Sequence, residues 1–439
     1  MTTTTRRLVQ VFTMGALVLA QARASNAGGL DPATRFYVPK ESHGATEQIA
    51  KLISSKHRSD AALIEAMTDT PQAVWLTGGT PHGVQQDVKR TVKMASAKKS
   101  VPILVAYNLP YRDCSQFSAG GAASLQAYEA WIDGFAAGLG NTPAIVILEP
   151  DGLGIIPWYN PFADRDTWVA NPNYEWCQPA EADPATVAAD RFAMLNYAVD
   201  KLKQAGARVY LDGTHSGWLG AGDAADRLYQ AGALRADGFF LNVSNYRSSD
   251  TLEKYGAWIS KCLWFGDAAS GSWGAGHFEY CASQYFSPNG PVNPNDITTW
   301  GYTDQWFTDN VESQTWVPYP GDAGLRTFVI DSSRNGQGPW TPTASYPDAQ
   351  DWCNPPLRGV GRPTSAATGN ALIDAYLWVK IPGESDGECT RGLGAGGTTI
   401  DPEWGLIDPG AGQWFPEMAL ELARNAVPAL ATGGHCSSH

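Results

Sequence analysis

The stretch Ala144-Ile-Val-Ile-Leu-Glu149-Pro-Asp151-Gly-Leu153 places an unbroken β-branched and aliphatic run directly before two carboxylates. An apolar run with no alternation suits a strand buried on both faces, as in a parallel sheet covered by helices. The same pattern recurs along the chain, and seven strands are predicted: Ala73–Thr77, Val101–Tyr107, Ala144–Glu149, Arg208–Asp212, Gly238–Val243, Arg326–Asp331 and Asp374–Lys380. Amphipathic helices separate them, clearest at Ser124–Leu139 and Thr186–Gln204. Strands alternating with helices predict an α/β protein, either a parallel β/α barrel or a related open sheet. No Pro-, Ser- or Thr-rich linker and no repeat interrupts the pattern, so residues 25–439 read as one domain.

The 439 residues are 43% hydrophobic and 17% charged, which excludes disorder for most of the chain. A net charge of −13 argues against nucleic acid or an anionic membrane as partner. Seventeen Trp and 17 Tyr are high, and suit either a ring-filled core or stacking on a neutral ring-shaped ligand.

Arg6 and Arg7, the apolar run Leu8–Leu19 and Ala22-Arg-Ala24 have the order of a secretory signal, with cleavage expected after Ala24 or alternatively Ala27. The mature protein is expected to be secreted, soluble and monomeric. Export changes the reading of the seven cysteines. With no CxxC pair and scattered His, no metal site is expected. Cys114, Cys177, Cys262, Cys281, Cys353 and Cys389 can form three bridges in any of fifteen pairings. The sequence-local pairing 114–177, 262–281, 353–389 is favoured, with Cys436 left over in the tail.

In a parallel barrel the chemistry lies past the C-terminal strand ends. Here those ends carry Asp113, Glu149, Asp151, Asp212, Asn242, Asn245, Asp331, Lys380, Glu384 and Asp386. One Asp after a strand is ordinarily a turn former or helix cap; several converging on one rim make an acidic pocket. Carboxylates without metal ligands, beside many Trp, suit glycoside hydrolysis: one acid protonates the leaving oxygen and a second carboxylate activates water or attacks the sugar. Other motifs fail on context. Gly392-Leu-Gly-Ala-Gly-Gly397 has no strand feeding it, and Ser216 lacks the glycines of a nucleophile elbow.

Six segments, in order, resemble glycoside hydrolase family 6: Val105-Ala-Tyr107-Asn-Leu-Pro-Tyr-Arg-Asp113-Cys114-Ser, Ile147-Leu-Glu149-Pro-Asp151-Gly-Leu, Tyr210-Leu-Asp212-Gly-Thr-His215-Ser-Gly-Trp218-Leu-Gly, Val329-Ile-Asp331-Ser-Ser-Arg334-Asn-Gly, Trp352-Cys353-Asn354 and Trp378-Val-Lys380-Ile-Pro-Gly-Glu384-Ser-Asp386-Gly. The resemblance covers Phe36 to the end. It implies a distorted seven-stranded β/α barrel and a secreted, inverting cellulase that acts on β-1,4-glucan and cello-oligosaccharides without a cofactor.

By that resemblance Asp151 is the general acid, and Asp113 raises its pKa through like charge. Tyr107 presses on the sugar at the cleaved bond, and Asp386 is the base, held ionised by Arg334 and Lys380. Asp212 binds sugar at the pocket centre. Trp218 and Trp352 are stacking platforms, with His215, Asn245 and Glu384 as hydrogen-bonders, and Arg334 and Lys380 are counted among the residues that bind substrate. A serine that orients water in some members falls at Ser118, or one place on at Ala119. The Cys114–Cys177 and Cys353–Cys389 pairs match bridges that the family uses. No carbohydrate-binding module is recognisable.

Ser244–Leu325 is far longer than an ordinary connection and carries Trp258, Trp264, Trp273, Tyr280, Tyr285, Trp300, Trp306 and Trp316. With Ser332–Ile373 and Gly387–Gly412 it is expected to roof the pocket into a tunnel. That predicts exo action, releasing cellobiose from non-reducing ends, with endo action as the alternative. A non-catalytic glucan-binding barrel is disfavoured because Asp151, Asp113 and Asp386 are all present.

Overall fold

Seven parallel strands hydrogen-bond in sequence order in the computed structural model, which describes residues 29–159, 177–315 and 317–432. They are β1 Val74–Leu76, β2 Ile103–Ala106, β3 Ile145–Leu148, β4 Arg208–Asp212, β5 Gly238–Leu241, β6 Thr327–Asp331 and β7 Ile373–Leu377. The register aligns Val105, Ile147 and Tyr210 across β2, β3 and β4. The sheet curls into a half-barrel. Among the described residues no ladder joins β1 to β7; Ala73 N–H donates to Trp378 O at 2.9 Å and the Trp75 indole to Val379 O at 2.8 Å. The predicted leader and Cys436 lie outside the described residues.

The unbroken apolar runs follow from burial on both faces. Ile103, Val105, Ile145, Ile147, Tyr210, Phe240, Val329 and Ala375 fill the inside. Their neighbours Leu104, Ala106, Val146, Leu148, Val209, Leu211, Phe239 and Phe328 pack outward under the helices. Strand β7 stops at Leu377, three residues before the predicted end. Beyond it Val379 and Lys380 N–H donate to the Asp331 carboxylate, at 3.2 and 3.0 Å, instead of to a neighbouring strand.

Helices α1 His43–Ser54 and α2 Arg58–Thr68 precede the sheet. Helices α3 Pro81–Ala97, α4 Leu125–Leu139, α5 Val187–Gln204, α6 Ala221–Gln230 and α7 Ser249–Gly266 follow β1 to β5 in turn. After them come α8 Gly301–Phe307 and α9 Pro416–Arg424. Ser124 caps α4 by accepting Ala127 N–H at 3.2 Å, and Gly140 ends it in the left-handed region. A side chain on Gly134 would lie 2.2 Å from Pro81 O, so this glycine is what lets α4 approach α3. No helix among the described residues is long and apolar enough to cross a membrane.

None of the seven described rings expected to roof the pocket from the insertion is on the cavity lining. Its first part is α7, the ordinary crossover to β6, and Trp258, Trp300, Trp306 and Phe307 are buried in the outer core. Trp258 meets Trp300 at 5.1 Å and Phe265 meets Trp306 at 5.8 Å between ring centroids. These rings bury against one another in the outer core because they find more apolar surface there than over a polar pocket, while Trp273 and Tyr280 remain exposed. Trp316 lies outside the described residues. The three bridges form as expected in the sequence-local pairing.

Candidate active site

Strand parity decides which side chains reach the pocket. Tyr107 shares the inward face with Val105 at the C-terminal mouth of the inner core, and the turns that follow β3, β4 and β6 stand beside it. Above them opens a cavity of about 630 Å³ lined by Tyr107, Asp113, Asp151, Trp218, Trp352 and Asp386, among others.

Glu149 and Asp151 both adopt left-handed backbone, with φ of 58° and 61° on either side of Pro150. This elbow turns Asp151 into the cavity at a conformational cost carried by the fold. The Asp151 carboxyl is buried and its pKa is raised well above the ordinary range, by desolvation first and then by the charges of Asp212, Asp113 and Asp386. That shift favours the protonated carboxyl. Asp113, also left-handed at φ 58°, accepts the Ser118 N–H at 2.6 Å. Burial pushes its pKa up to about 6, against the opposing pull of that bond and of Arg112. The neighbouring Cys114–Cys177 bridge pins this turn.

Asp386 is the opposite case. Burial alone would raise its pKa, but Arg334 and Lys380 outweigh burial and hold it below the ordinary carboxylate range. Arg334 Nη1 lies 2.9 Å from Oδ2 and Lys380 Nζ 3.4 Å from Oδ1. Asn354 N–H and the Tyr246 hydroxyl also donate to Oδ2, at 3.0 and 3.4 Å. One cavity thus holds two carboxyl groups whose environments push their pKa values apart, the arrangement that acid and base catalysis needs.

Known proteins resemble this chain over nearly all of its described length. The family model described as "Glycosyl hydrolases family 6" matches residues 32–426.

The chain belongs to glycosyl hydrolases family 6.

It is 31% identical to Endoglucanase A of Cellulomonas fimi over 90% of this chain and 62% of that protein. It is 32% identical to Endoglucanase A of Thermobispora bispora over 94% of this chain and 67% of that protein. The chain thus spans about two thirds of the length of these relatives. Among solved structures it is similar to the endoglucanase Cel6 from Mycobacterium tuberculosis, in complex with methyl-cellobiosyl-4-deoxy-4-thio-β-D-cellobioside. That match has a TM-score of 0.59 and 30% identity, and covers 90% of this chain and 99% of that one.

Most of the predicted family 6 site residues meet at the cavity: Tyr107, Asp113, Ser118, Asp151, His215, Trp218, Asn245, Trp352, Lys380, Glu384 and Asp386. Ser118 and Ala119 both line it. His215 has its pKa well below the usual value, by burial and then by Arg247. Its Nδ1 faces the Gly217 N–H at 3.2 Å, which leaves Nε2–H as the donor. Burial raises the Glu384 pKa against the pull of Lys380. Trp218 is steadied from the insertion: Tyr285 OH donates to Trp218 O at 3.0 Å, and Gln284 Nε2 to Ser216 O at 2.9 Å and Leu219 O at 2.8 Å.

Two expectations need correction. Asp212 does not line the cavity. Its carboxylate accepts the N–H groups of Leu153 and Gly154 at 3.2 Å and of Thr214 at 2.9 Å, so it fastens the turn after Asp151 instead of meeting sugar. Arg334 is likewise behind the wall, fully buried, and touches Asp386. Asp331 and Glu149 are also buried turn-holders. Asp331 accepts backbone N–H groups from Ser244, Ser333, Val379 and Lys380, and Glu149 from Asn108 and Leu109.

Sequence reasoning missed Trp75, Gln116, Phe117, Arg247 and Asp351, all on the lining. Trp75 was within reach of the parity rule, because it packs with the inner cluster at the end of β1. Phe117 carried no sequence signal; it meets Trp352 at 6.1 Å across the cavity. Among the described residues, the one group of three with metal-ligand atoms close together is Cys389, Asp401 and Asp408. The Cys389 sulfur is spent in its bridge to Cys353, so the group does not fit an ion.

Proposed function

We propose that the chain is a secreted cellulase that hydrolyses β-1,4-glucan with inversion. The observation that carries this reading is one cavity, lined by Trp218 and Trp352, that holds both Asp151, its pKa raised by burial, and Asp386, paired with Arg334 and Lys380. Asp151 protonates the leaving glycosidic oxygen. Water attacks the anomeric carbon from the opposite face and gives its proton to Asp386, directly or through a second water. Tyr107, a neutral phenol with raised pKa at the cavity floor, presses on the sugar ring, and Asp113 keeps Asp151 protonated. His215, Asn245, Glu384 and Lys380 bond the hydroxyls. Three disulfides in one chain support an exported protein, because such bridges persist in oxidising compartments.

Internal attack is the better-supported mode. None of the described rings expected to roof the cleft lines it, and the two similar bacterial proteins carry endoglucanase names. A chain-end cellobiohydrolase is the second reading, favoured by Pro339, Asp351, Trp352, Ala411 and Gly412, which the two later excursions contribute to the lining. Carboxymethylcellulose decides between them. Internal attack drops viscosity quickly with few reducing ends released; slow viscosity loss with cellobiose as main product is the mark of chain-end action. Absence of any sugar release from swollen cellulose would overturn both.

A further inference from the structure

The excursion Gly387–Gly412 has a second connection to the chemistry, reached through Asn354. Asn354 is fully buried and left-handed, at φ 40°. It grips Asp386 from two sides: its N–H donates to Asp386 Oδ2 at 3.0 Å, and its Oδ1 accepts Asp386 N–H at 2.8 Å. Its amide Nδ2 faces Ser385 Oγ at 2.9 Å, Gly387 O at 2.9 Å and Asp408 Oδ2 at 2.8 Å. Asp408 sits near the far end of the excursion, buried, and outside the cavity lining.

The other oxygen of Asp408 decides the protonation. Buried Oδ1 has no donor in reach, and a carboxylate oxygen of Asp408 lies within 4.8 Å of one on Asp401. Asp401 already takes both Nε and Nη2 of Arg391, at 3.2 and 2.6 Å. Asp401 and Arg391 are the charged groups that face Asp408, so one cation serves two buried acids. A buried carboxylate without its own cation or donor is costly. A proton on Asp408 removes that charge and lets the acid donate toward Asp401, its side-chain hydrogen-bond partner. Burial and the Asp401 charge accordingly push the Asp408 pKa to about 7.

We propose that Asp408, as the neutral acid, is a positioning residue for the reaction: bonded to Asp401 on one side and Asn354 on the other, it fixes the amide that aims Asp386. Arg391 completes the brace, donating to Cys353 O at 2.6 Å and Asn354 O at 3.1 Å. The inference rests on the reading of Asp386 as base.

The test uses the full chain on cello-oligosaccharides. Asp408→Ala should lower kcat roughly 10- to 100-fold, as small misplacements of a catalytic group do, with KM within about twofold because Asp408 touches no sugar. Asp408→Asn, which can still accept from Asn354 and donate to Asp401, should rescue kcat. An unchanged kcat in the folded alanine variant, or an asparagine variant that falls equally far, overturns the proposal. Should the alanine variant fail to fold, the asparagine variant decides by the same criterion. Asp386→Ala is assayed alongside. Full activity there sinks the base assignment whatever Asp408 does, whereas loss there with wild-type kcat in Asp408→Ala overturns the positioning role alone.

Discussion

Arg334 and Asp386 form an ion pair at 2.9 Å with the guanidinium fully shielded from water and the carboxylate nearly so. The pair keeps Asp386 ionised at a pH where an ordinary buried acid would be neutral. Arg334→Gln should therefore raise the acid limb of kcat/KM, since Asp386 must be deprotonated to take a proton from water. Removing one partner of a buried pair also costs about 3–5 kcal/mol, so Tm should fall. An unmoved acid limb in the folded variant would dissociate Asp386 from the base role.

Asp151→Asn should keep the fold and sugar binding and remove most activity, because general acid catalysis contributes roughly 10²–10⁴-fold. On wild-type enzyme, proton NMR immediately after hydrolysis should show the α-anomer first. Near-normal turnover by the variant, or an initial β-anomer, would contradict the assignment of roles.

The turn-holding place of Asp212 has its own signature. Asp212→Asn removes a like charge that helps raise the Asp151 pKa, so the alkaline limb of kcat should move to lower pH while KM changes little. A sugar-binding Asp212 would instead raise KM and leave the limb in place.

Stability should depend on pH in a defined sense. Asp113 and Asp212 have folded pKa values near 6, and Glu149 and Asp408 near 7, all raised by burial. A carboxyl with a raised folded pKa binds its proton more tightly when folded, so stability is lost as pH climbs from about 4 to about 7. Asp386 runs the other way, its contribution fading as pH falls through its depressed value. His215, held neutral, also favours higher pH and works against the four acids below about pH 6.5. The four outweigh it, so Tm should be higher near pH 5 than near pH 7.5. A flat or rising Tm across that window would refute the protonation pattern.

The bridges should separate stability from activity. Closing loops of 19 to 63 residues is worth about 3–4 kcal/mol each in the chain-entropy account. Replacing Cys262 and Cys281 with Ser should lower Tm with the smaller loss of kcat, because that bridge reaches the cavity only through Gln284 and Tyr285, which brace Trp218. Replacing Cys114 and Cys177 should lower both, since Cys114 adjoins Asp113. Equal kcat in the two double variants would place the Asp113 turn under other control.

The residues alone determined the seven strands, their parallel order and the rim that carries the acids, because two-sided burial leaves an unmistakable run of apolar residues. They favoured the local disulfide pairing without excluding the others, and the resemblance to family 6 motifs at those strand ends named most of the lining. Tertiary structure alone decided which carboxylates face the cavity and which hold turns. Asp151 and Asp212 look alike in sequence, yet one is aimed inward by a left-handed elbow and the other accepts three backbone N–H groups beneath it. It also decided protonation. Burial raises every one of these acids, and only proximity to Arg334 and Lys380, far away in the chain from the acid motif, reverses the shift at Asp386. The ring-rich insertion shows the same limit: composition marks Trp258 and Trp300 as rings, but their place against the outer core follows from α7 being an ordinary crossover, which only the packed fold reveals.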